Sequence, residues 1–319
     1  MGEVPTVGRS PDPDRGRRWR VVLGLGALYF IWGSTYLAIR IAIETLPPFF
    51  MAGSRFLLAG GILYVWAKAR GAEGPNLRSW RTAVISGALM LACGNGAVVW
   101  AEQFVPSGMV SLLVATVPLW IVLLDWGWGG GAPPGTGVIL GILWGFLGVA
   151  ILVTGSEIGR GDLQDLAGGV LVLGGAVAWA AGSLVARYGV RPNSASLGNG
   201  MQMLAGGGLL FLWGVLRGEV GTFETGFLSL PSLLAFFYLV IFGSLLGFSS
   251  YIWLLRNTTP AVASTYAYVN PVVALLLGWA LAEEPLSART ILATFVILSA
   301  VMVITTRRSK GGPPTRAGG

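Results

Sequence analysis

Residues 32–66, WGSTYLAIRIAIETLPPFFMAGSRFLLAGGILYVW, and residues 179–213, WAAGSLVARYGVRPNSASLGNGMQMLAGGGLLFLW, carry the same pattern twice. At an offset of 147 residues, Trp32 falls on Trp179, Leu37 on Leu184, Arg40 on Arg187 and Gly53 on Gly200. Leu57 falls on Leu204, Gly60 and Gly61 on Gly207 and Gly208, Leu63 on Leu210 and Trp66 on Trp213, making 9 identities in 35 ungapped positions. Shared apolar composition supplies some of these matches, but two Trp pairs and one Arg pair are harder to obtain that way. The register continues with small shifts, Trp100 to Trp253, Pro106 to Pro260 and Pro118 to Pro271. The chain therefore reads as two related halves.

The solvent of those halves follows from composition. Of 319 residues, 54% are hydrophobic and 11% charged, against about a quarter charged in soluble domains. So few charges cannot cover a water-facing surface on a chain of this length, and most of the surface is expected to meet lipid. The 49 glycines agree with this, since Gly is commoner in membrane helices than in soluble ones. Ten apolar stretches have about the 20 residues that a spanning helix needs: Val21–Ala42, Pro48–Ala67, Thr82–Ala101, Ser107–Trp126, Gly135–Thr154, Leu166–Ala186, Ser196–Leu216, Pro231–Leu254, Pro260–Leu281 and Ala288–Thr305. Barrel strands would be half as long and would alternate in polarity. In hydrocarbon a helix satisfies its backbone hydrogen bonds within one segment. The expectation is an all-α integral membrane protein of ten transmembrane helices, built as two repeats over residues 21–155 and 166–306. Residues 1–20 and 307–319 read as disordered cytoplasmic tails. The first apolar run continues too far, with no cleavage site, for a signal peptide.

Five helices per repeat is an odd number, so the second repeat enters the membrane from the opposite side. That inverted arrangement is common in secondary transporters, with the binding site near the midplane. The basic residues agree with an even number of spans. With both termini inside, the inner segments hold Arg9, Arg15, Arg17, Arg18, Arg20, Lys68, Arg70, Arg78, Arg81, Arg187, Arg191, Arg256, Arg307, Arg308, Lys310 and Arg316. The outer segments hold only Arg40, Arg160, Arg217 and Arg289. This is the positive-inside bias.

Several chemistries lack their residues. The chain has no His, the usual proton shuttle and metal ligand. Its one Cys, Cys93, rules out an intrachain disulfide and a Cys metal cluster, and reads as a small buried hydrophobe. No phosphate-binding Gly-rich loop ending in Lys-Ser or Lys-Thr is present, so ATP hydrolysis is not expected. The expectation is a non-enzyme with no cofactor, no metal and no nucleic-acid partner, seated in a bacterial inner membrane, with a monomer as the simplest state.

The motifs Trp32-Gly33-Ser34-Thr35-Tyr36 and Gly53-Ser54-Arg55-Phe56-Leu57-Leu58-Ala59-Gly60 open the pattern. Tyr251-Ile252-Trp253-Leu254-Leu255, Pro260-Ala261-Val262-Ala263-Ser264 and Asn270-Pro271-Val272-Val273-Ala274 follow, and the run ends in Gly278-Trp279 and Glu283-Glu284-Pro285-Leu286-Ser287. In order and spacing over residues 21–306 the sequence resembles the drug/metabolite transporter superfamily, specifically the EamA-type exporters. The resemblance implies a ten-helix, two-repeat exporter of small metabolites, close to the exporters of amino acids, aromatic ones included. Many members carry the acidic residue after the last apolar run in both halves. Here Glu283 and Glu284 have no first-half counterpart, that region being Trp126-Gly127-Trp128-Gly129-Gly130-Gly131.

Within the spans, Arg55 is the sharpest candidate, because a charge at membrane depth is costly and marks function by default. Its guanidinium could hold a substrate carboxylate by a bidentate hydrogen bond. The alternative is a structural pairing with helix carbonyls, Glu44 or Glu102. Its repeat mate, Gln202, is also polar. Asn95 could contact a zwitterion or make an interhelical hydrogen bond. Tyr266, Tyr268 and Asn270 precede Pro271, whose missing N–H frees a carbonyl near Ala267, and Thr116 and Pro118 mark the matching place. Trp32, Trp100, Trp179 and Trp253 could line an apolar cavity, whereas Trp19, Trp80, Trp126 and Trp128 read as interfacial belt residues. Gly137, Gly141 and Gly145 form a close-packing face, within the bundle or between protomers. Glu102, Asp125, Glu283 and Glu284 all fall near span ends, which favours a facilitator over a proton-coupled pump. A carboxylate-poor interior containing Arg55 favours anionic or zwitterionic ligands over cationic drugs; a membrane-embedded enzyme is the rival from another class.

Overall fold

The computed structural model describes residues 13–128, 133–153, 163–221, 228–258, 260–263, 265–284 and 286–309. Among these residues every regular element is helical. In chain order, apart from the single helical turn Pro260–Ala263, they are α1 (Pro13–Ala42), α2 (Pro48–Ala69), α3 (Leu77–Ala101), α4 (Ser107–Gly127, broken at Ala115–Thr116), α5 (Thr136–Val153), α6 (Leu163–Tyr188), α7 (Ala195–Leu216), α8 (Leu230–Asn257), α9 (Tyr266–Ala282) and α10 (Ala288–Ser309). Seven of them, α1 to α4 and α6 to α8, are long and apolar enough to cross a membrane. The apolar stretches of α5, α9 and α10 are shorter. Large apolar side chains such as Phe30, Val65 and Phe295 face outward, as lipid contact requires. The chain is a multi-pass membrane protein.

Two sequence expectations are corrected at once. Residues 13–20 belong to α1 and not to a disordered tail, and α10 runs through Ser309; the remainder of both tails lies outside the described residues. Cys93 is exposed on α3 and not buried. Lipid accepts an apolar thiol as readily as a protein core does.

Glycine sets the packing of α2 on α7. A Cβ on Gly60 would lie 3.0 Å from the Gly200 carbonyl oxygen, and one on Gly200 would lie 3.0 Å from that of Gly60. A Cβ on Gly207 would lie 3.1 Å from the Gly53 carbonyl oxygen. The 147-residue offset carries Gly53 to Gly200 and Gly60 to Gly207, so exchanging the two helices maps one contact onto the other. Small residues let backbones approach this closely, which is how helices associate in lipid. Gly145 and Gly148 on α5 do the same within the bundle, the former against Leu119 and Ala300 and the latter against Ile297.

Matching irregularities follow at equivalent places. The middle of α3, Ala88–Asn95, and the middle of α8, Leu239–Phe248, wind as π-helix. Such segments are rare and gather at functional sites. The C-terminal ends of these helices are held alike. Arg40 Nη1 donates to the Glu102 carbonyl, and Arg187 Nη1 donates to those of Leu255, at 2.6 Å, and Thr258, at 3.2 Å. A cation there satisfies carbonyls that the helix leaves unbonded. At the proline breaks, Thr116 donates to the Leu113 carbonyl at 2.7 Å and Thr265 to that of Val262 at 2.8 Å.

Candidate substrate cavity

The two π segments face a central cavity of about 650 Å³, its mouth included. Its wall takes residues from α1 (Trp32, Thr35, Tyr36), α2 (Arg55), α3 (Asn95), α6 (Trp179), α8 (Gly243) and α9 (Tyr266). Three aromatic rings, Trp32, Trp179 and Tyr266, line one side, with the buried ring of Tyr251 packed behind them. Trp32 meets Trp179 edge-on at 5.7 Å, Tyr251 at 5.1 Å and Tyr266 at 5.0 Å between centroids. Two of the rings are fixed by polar contacts at their rims. Trp32 Nε1 donates to the Gly243 carbonyl at 3.2 Å, and the Tyr251 hydroxyl shares a hydrogen bond with Ser183 at 2.9 Å.

Repeat mates Trp32 and Trp179 thus touch, and each is seated in the opposite half. A Cβ on Gly94, in the α3 π segment, would lie 3.0 Å from the Trp179 ring. A Cβ on Gly247, in the α8 π segment, would lie 2.5 Å from Trp32 Nε1. Gly94 and Gly247 stand at the same 153-residue offset as Trp100 and Trp253. A side chain at Gly247 would displace Trp32, and one at Gly94 would crowd Trp179.

Arg55 is the polar centre. It is buried, and its Nε donates to Ser244 Oγ at 2.8 Å. Its guanidinium carbon lies 4.7 Å from the Phe56 ring centroid. Nη1 meets no acceptor among the described residues. The Oδ1 of Asn95, on the facing π segment, is likewise buried without a donor. A buried polar group is normally satisfied, so a donor and an acceptor left open in the cavity lining are what a zwitterionic or amide-bearing ligand would fill. Neither Glu44 nor Glu102 hydrogen-bonds Arg55.

Of the residues singled out in the sequence, the fold brings Trp32, Arg55, Asn95, Trp179 and Tyr266 to this cavity. Gln202 is buried elsewhere, its amide 3.2 Å from Met90 Sδ between α7 and α3. Trp100 packs edge-on against Phe104 and lines a separate hollow at the end of the bundle. Asn270 is buried in the α1–α9 seam, where its amide nitrogen, turned toward the carbonyls of Tyr29 and Tyr266, donates to both at 3.3 and 3.1 Å. Gln202 and Asn270 join helices, whereas Trp100 packs within its own segment. Trp253 is half-buried off the cavity. Tyr36, Ser244 and Tyr251 entered no sequence-level list of site residues. Tyr36 sits in a quoted motif, while nothing in the sequence separates Ser244 from other span serines.

The family model for the EamA-like transporter family matches residues 19–154 and again 166–306. The chain is 42% identical to the uncharacterized inner membrane transporter YedA of Escherichia coli strain K12, over 88% of this chain and 89% of that protein. It is 24% identical to the uncharacterized transporter YoaV of Bacillus subtilis strain 168, covering 90% and 97% of the two chains. To protein PecM of Dickeya dadantii strain 3937 it is 26% identical, covering 86% and 88%. A crystal structure of a protein 19% identical superposes with a TM-score of 0.64 over 92% of this chain and 99% of that one, a likeness of fold.

Proposed function

The chain belongs to the EamA-like transporter family of the drug/metabolite transporter superfamily, and from that premise we propose that it is a secondary carrier of the inner membrane that exports small metabolites, amino acids first. The carrying observation is the open Nη1 of buried Arg55 in a cavity lined by the rings of Trp32, Trp179 and Tyr266. A guanidinium in a low-dielectric cavity suits a carboxylate. The rings suit an apolar or aromatic side chain, and Asn95 Oδ1 can accept from an ammonium group.

Alternating access between two inverted repeats, with both termini cytoplasmic, is the mechanism that accompanies this reading. The exchange-related contacts support it. Gly60 with Gly200, Gly94 with Trp179, Gly247 with Trp32, and the Arg40 and Arg187 end contacts recur in both halves. Related halves with near-equivalent packings can exchange which of them is tightly closed, and the site between them then faces alternate sides.

The test is efflux of labelled amino acids from liposomes holding the purified protein, with amines and sugars as controls. Efflux of phenylalanine or tyrosine that unlabelled analogue competes for is the expected result. Folded protein that moves amines or sugars but no amino acid would overturn the substrate assignment, and no flux at all would remove the carrier reading.

A further inference from the structure

At the 153-residue offset the π segment of α8 falls on that of α3, Gly243 on Met90 and Ser244 on Leu91. At the 147-residue offset Arg55 falls on Gln202 and Thr35 on Gly182. The same positions meet in both places. Gln202 lies on Met90, its amide nitrogen 3.2 Å from Sδ, and a Cβ on Gly182 would lie 2.6 Å from Met90 Cγ. Arg55 lies on Gly243, where a Cβ would be 2.7 Å from Nη2, 3.4 Å from the guanidinium carbon and 3.1 Å from Thr35 Cγ2. Methionine therefore fills in one place the room that arginine and threonine share in the other. Arg55, Thr35 and Gly243 all line the cavity. Packing of these helices is met by Met90, Leu91 and Gln202 without a charge. The glycine and serine of α8 are what let a guanidinium take that room.

Ser244 is fully buried, and its hydroxyl accepts from Arg55 Nε at 2.8 Å. The Gly243 carbonyl accepts from Trp32 Nε1 at 3.2 Å. A guanidinium is planar and offers its N–H groups in a rigid fork. Holding Nε at Ser244 fixes that plane and leaves the outer edge, Nη1 and Nη2, for a ligand, Nη1 being the buried donor without an acceptor. The absent Cβ of Gly243 is the space in which this edge sits. We propose that Gly243 and Ser244 are positioning residues for substrate recognition, which turn Arg55 from a buried charge into a carboxylate-selective fork. Without Ser244 the charge remains but its direction is lost. A fixed outer edge matches the paired oxygens of a carboxylate, whereas a loose cation only attracts negative charge. The same step of α8 holds Trp32, so the contacts to the head and to the side chain of a ligand are set together. Arg55 comes from the first repeat and the positioning pair from the second, so the fork is assembled across the interface between them.

This inference rests on Arg55 as the substrate anchor, and its test separates the two. The Arg55 Nε–H reports its own placement without any substrate. In purified protein labelled with nitrogen-15 at arginine, it is the Nε–H resonance that Arg55→Gln removes. In wild type it should be protected from exchange with water, and in Ser244→Ala it should exchange at least about tenfold faster, the worth of one hydrogen bond from a charged donor. An unchanged exchange rate would overturn the proposal even if transport is altered. Binding is read by displacement of labelled phenylalanine. Ser244→Ala should weaken phenylalanine by about tenfold on the same grounds. It should leave phenylalaninol, which has the ring and ammonium but no carboxylate, near its wild-type affinity. Gly243→Ala, whose methyl would displace Nη2, should show the same selective loss. Equal losses for the two ligands would make Ser244 merely structural and overturn the proposal, as would wild-type phenylalanine affinity in Ser244→Ala. If wild type binds no phenylalanine, the substrate assignment fails and the Nε–H exchange alone decides whether Ser244 positions Arg55. If Ser244→Ala does not fold, Ser244→Cys keeps a side chain of similar size with only a weak acceptor, and the same pattern is expected in both readings.

Discussion

Arg55→Gln should separate binding from folding. In the folded protein Arg55 makes one hydrogen bond to a side chain, Nε to Ser244, and holds a cation with Nη1 open. Glutamine can still reach a hydroxyl, and it removes a buried charge whose satisfaction is incomplete. Replacing a poorly compensated buried charge by a neutral group is commonly neutral or stabilising, so stability should change by no more than about 1 kcal/mol, the worth of a typical hydrogen bond. Binding is different. Each hydrogen bond to a charged group is worth about 1.5–3 kcal/mol, so losing one or both arms of the guanidinium from a substrate carboxylate should weaken affinity by about tenfold to more than a thousandfold. Arg55→Lys keeps the charge but loses the planar fork and the Ser244 contact, and should fall between the two. The assay pairs equilibrium binding of labelled phenylalanine to purified protein with thermal unfolding of the same samples. Wild-type affinity in Arg55→Gln, or an affinity loss matched by an equal loss of stability, would refute the reasoning.

Gly60→Ala should cost about 1–3 kcal/mol by overpacking, because the new Cβ meets Met203 Cβ at 2.8 Å and the Gly200 carbonyl at 3.0 Å; thermal unfolding in detergent reads it. Gly247→Ala should cost about 1–3 kcal/mol by overpacking, since the new methyl would displace buried Trp32, and should lower the flux per folded molecule as well, read by transport normalised to folded protein. Glu284→Ala should destabilise by about 1–2 kcal/mol, by uncapping Ser107 and Gly108 at a helix N-terminus, with Glu284→Gln milder. Cys93→Ala should lie within about 0.5 kcal/mol of wild type, as an exposed position without a partner does, and would supply a cysteine-free background for labelling.

Helix positions were legible in the sequence because lipid imposes length and apolarity on every span. Each expected apolar stretch carries a helix, although the described apolar parts of three are short of full spanning length. The repeat was legible because Trp32, Trp179, Gly60 and Gly207 are held by contacts that recur in both halves. Where the reading missed, spacing could not report direction. Gln202 shares the repeat position of Arg55 but turns to Met90, since α7 packs its polar position against α3 and away from the cavity. Asn270 looked like a cavity group and instead ties α9 to α1. Trp100 lies in the same span as Asn95 but at the end of α3, past the cavity wall. Neither π segment carries a signature in its residue types, because the extra residue per turn is accommodated by backbone hydrogen bonding. The acid at Glu284 was recognised without its role, which depends on a helix start far away in sequence.

The departure from symmetry at Arg55 also bears on how a ligand would travel under the proposed function. The scaffold contacts recur in both halves, but the cation does not, for Gln202 is spoken for by Met90. A ligand held by its carboxylate at Arg55 keeps its head pinned to the first half throughout the cycle, whichever side is open. Under the proposed function, such a ligand would present its head toward one half and its side chain toward the other. The two gates of one carrier would therefore meet different chemistry, and the slower exit belongs to the gate that has to part the carboxylate from its guanidinium last.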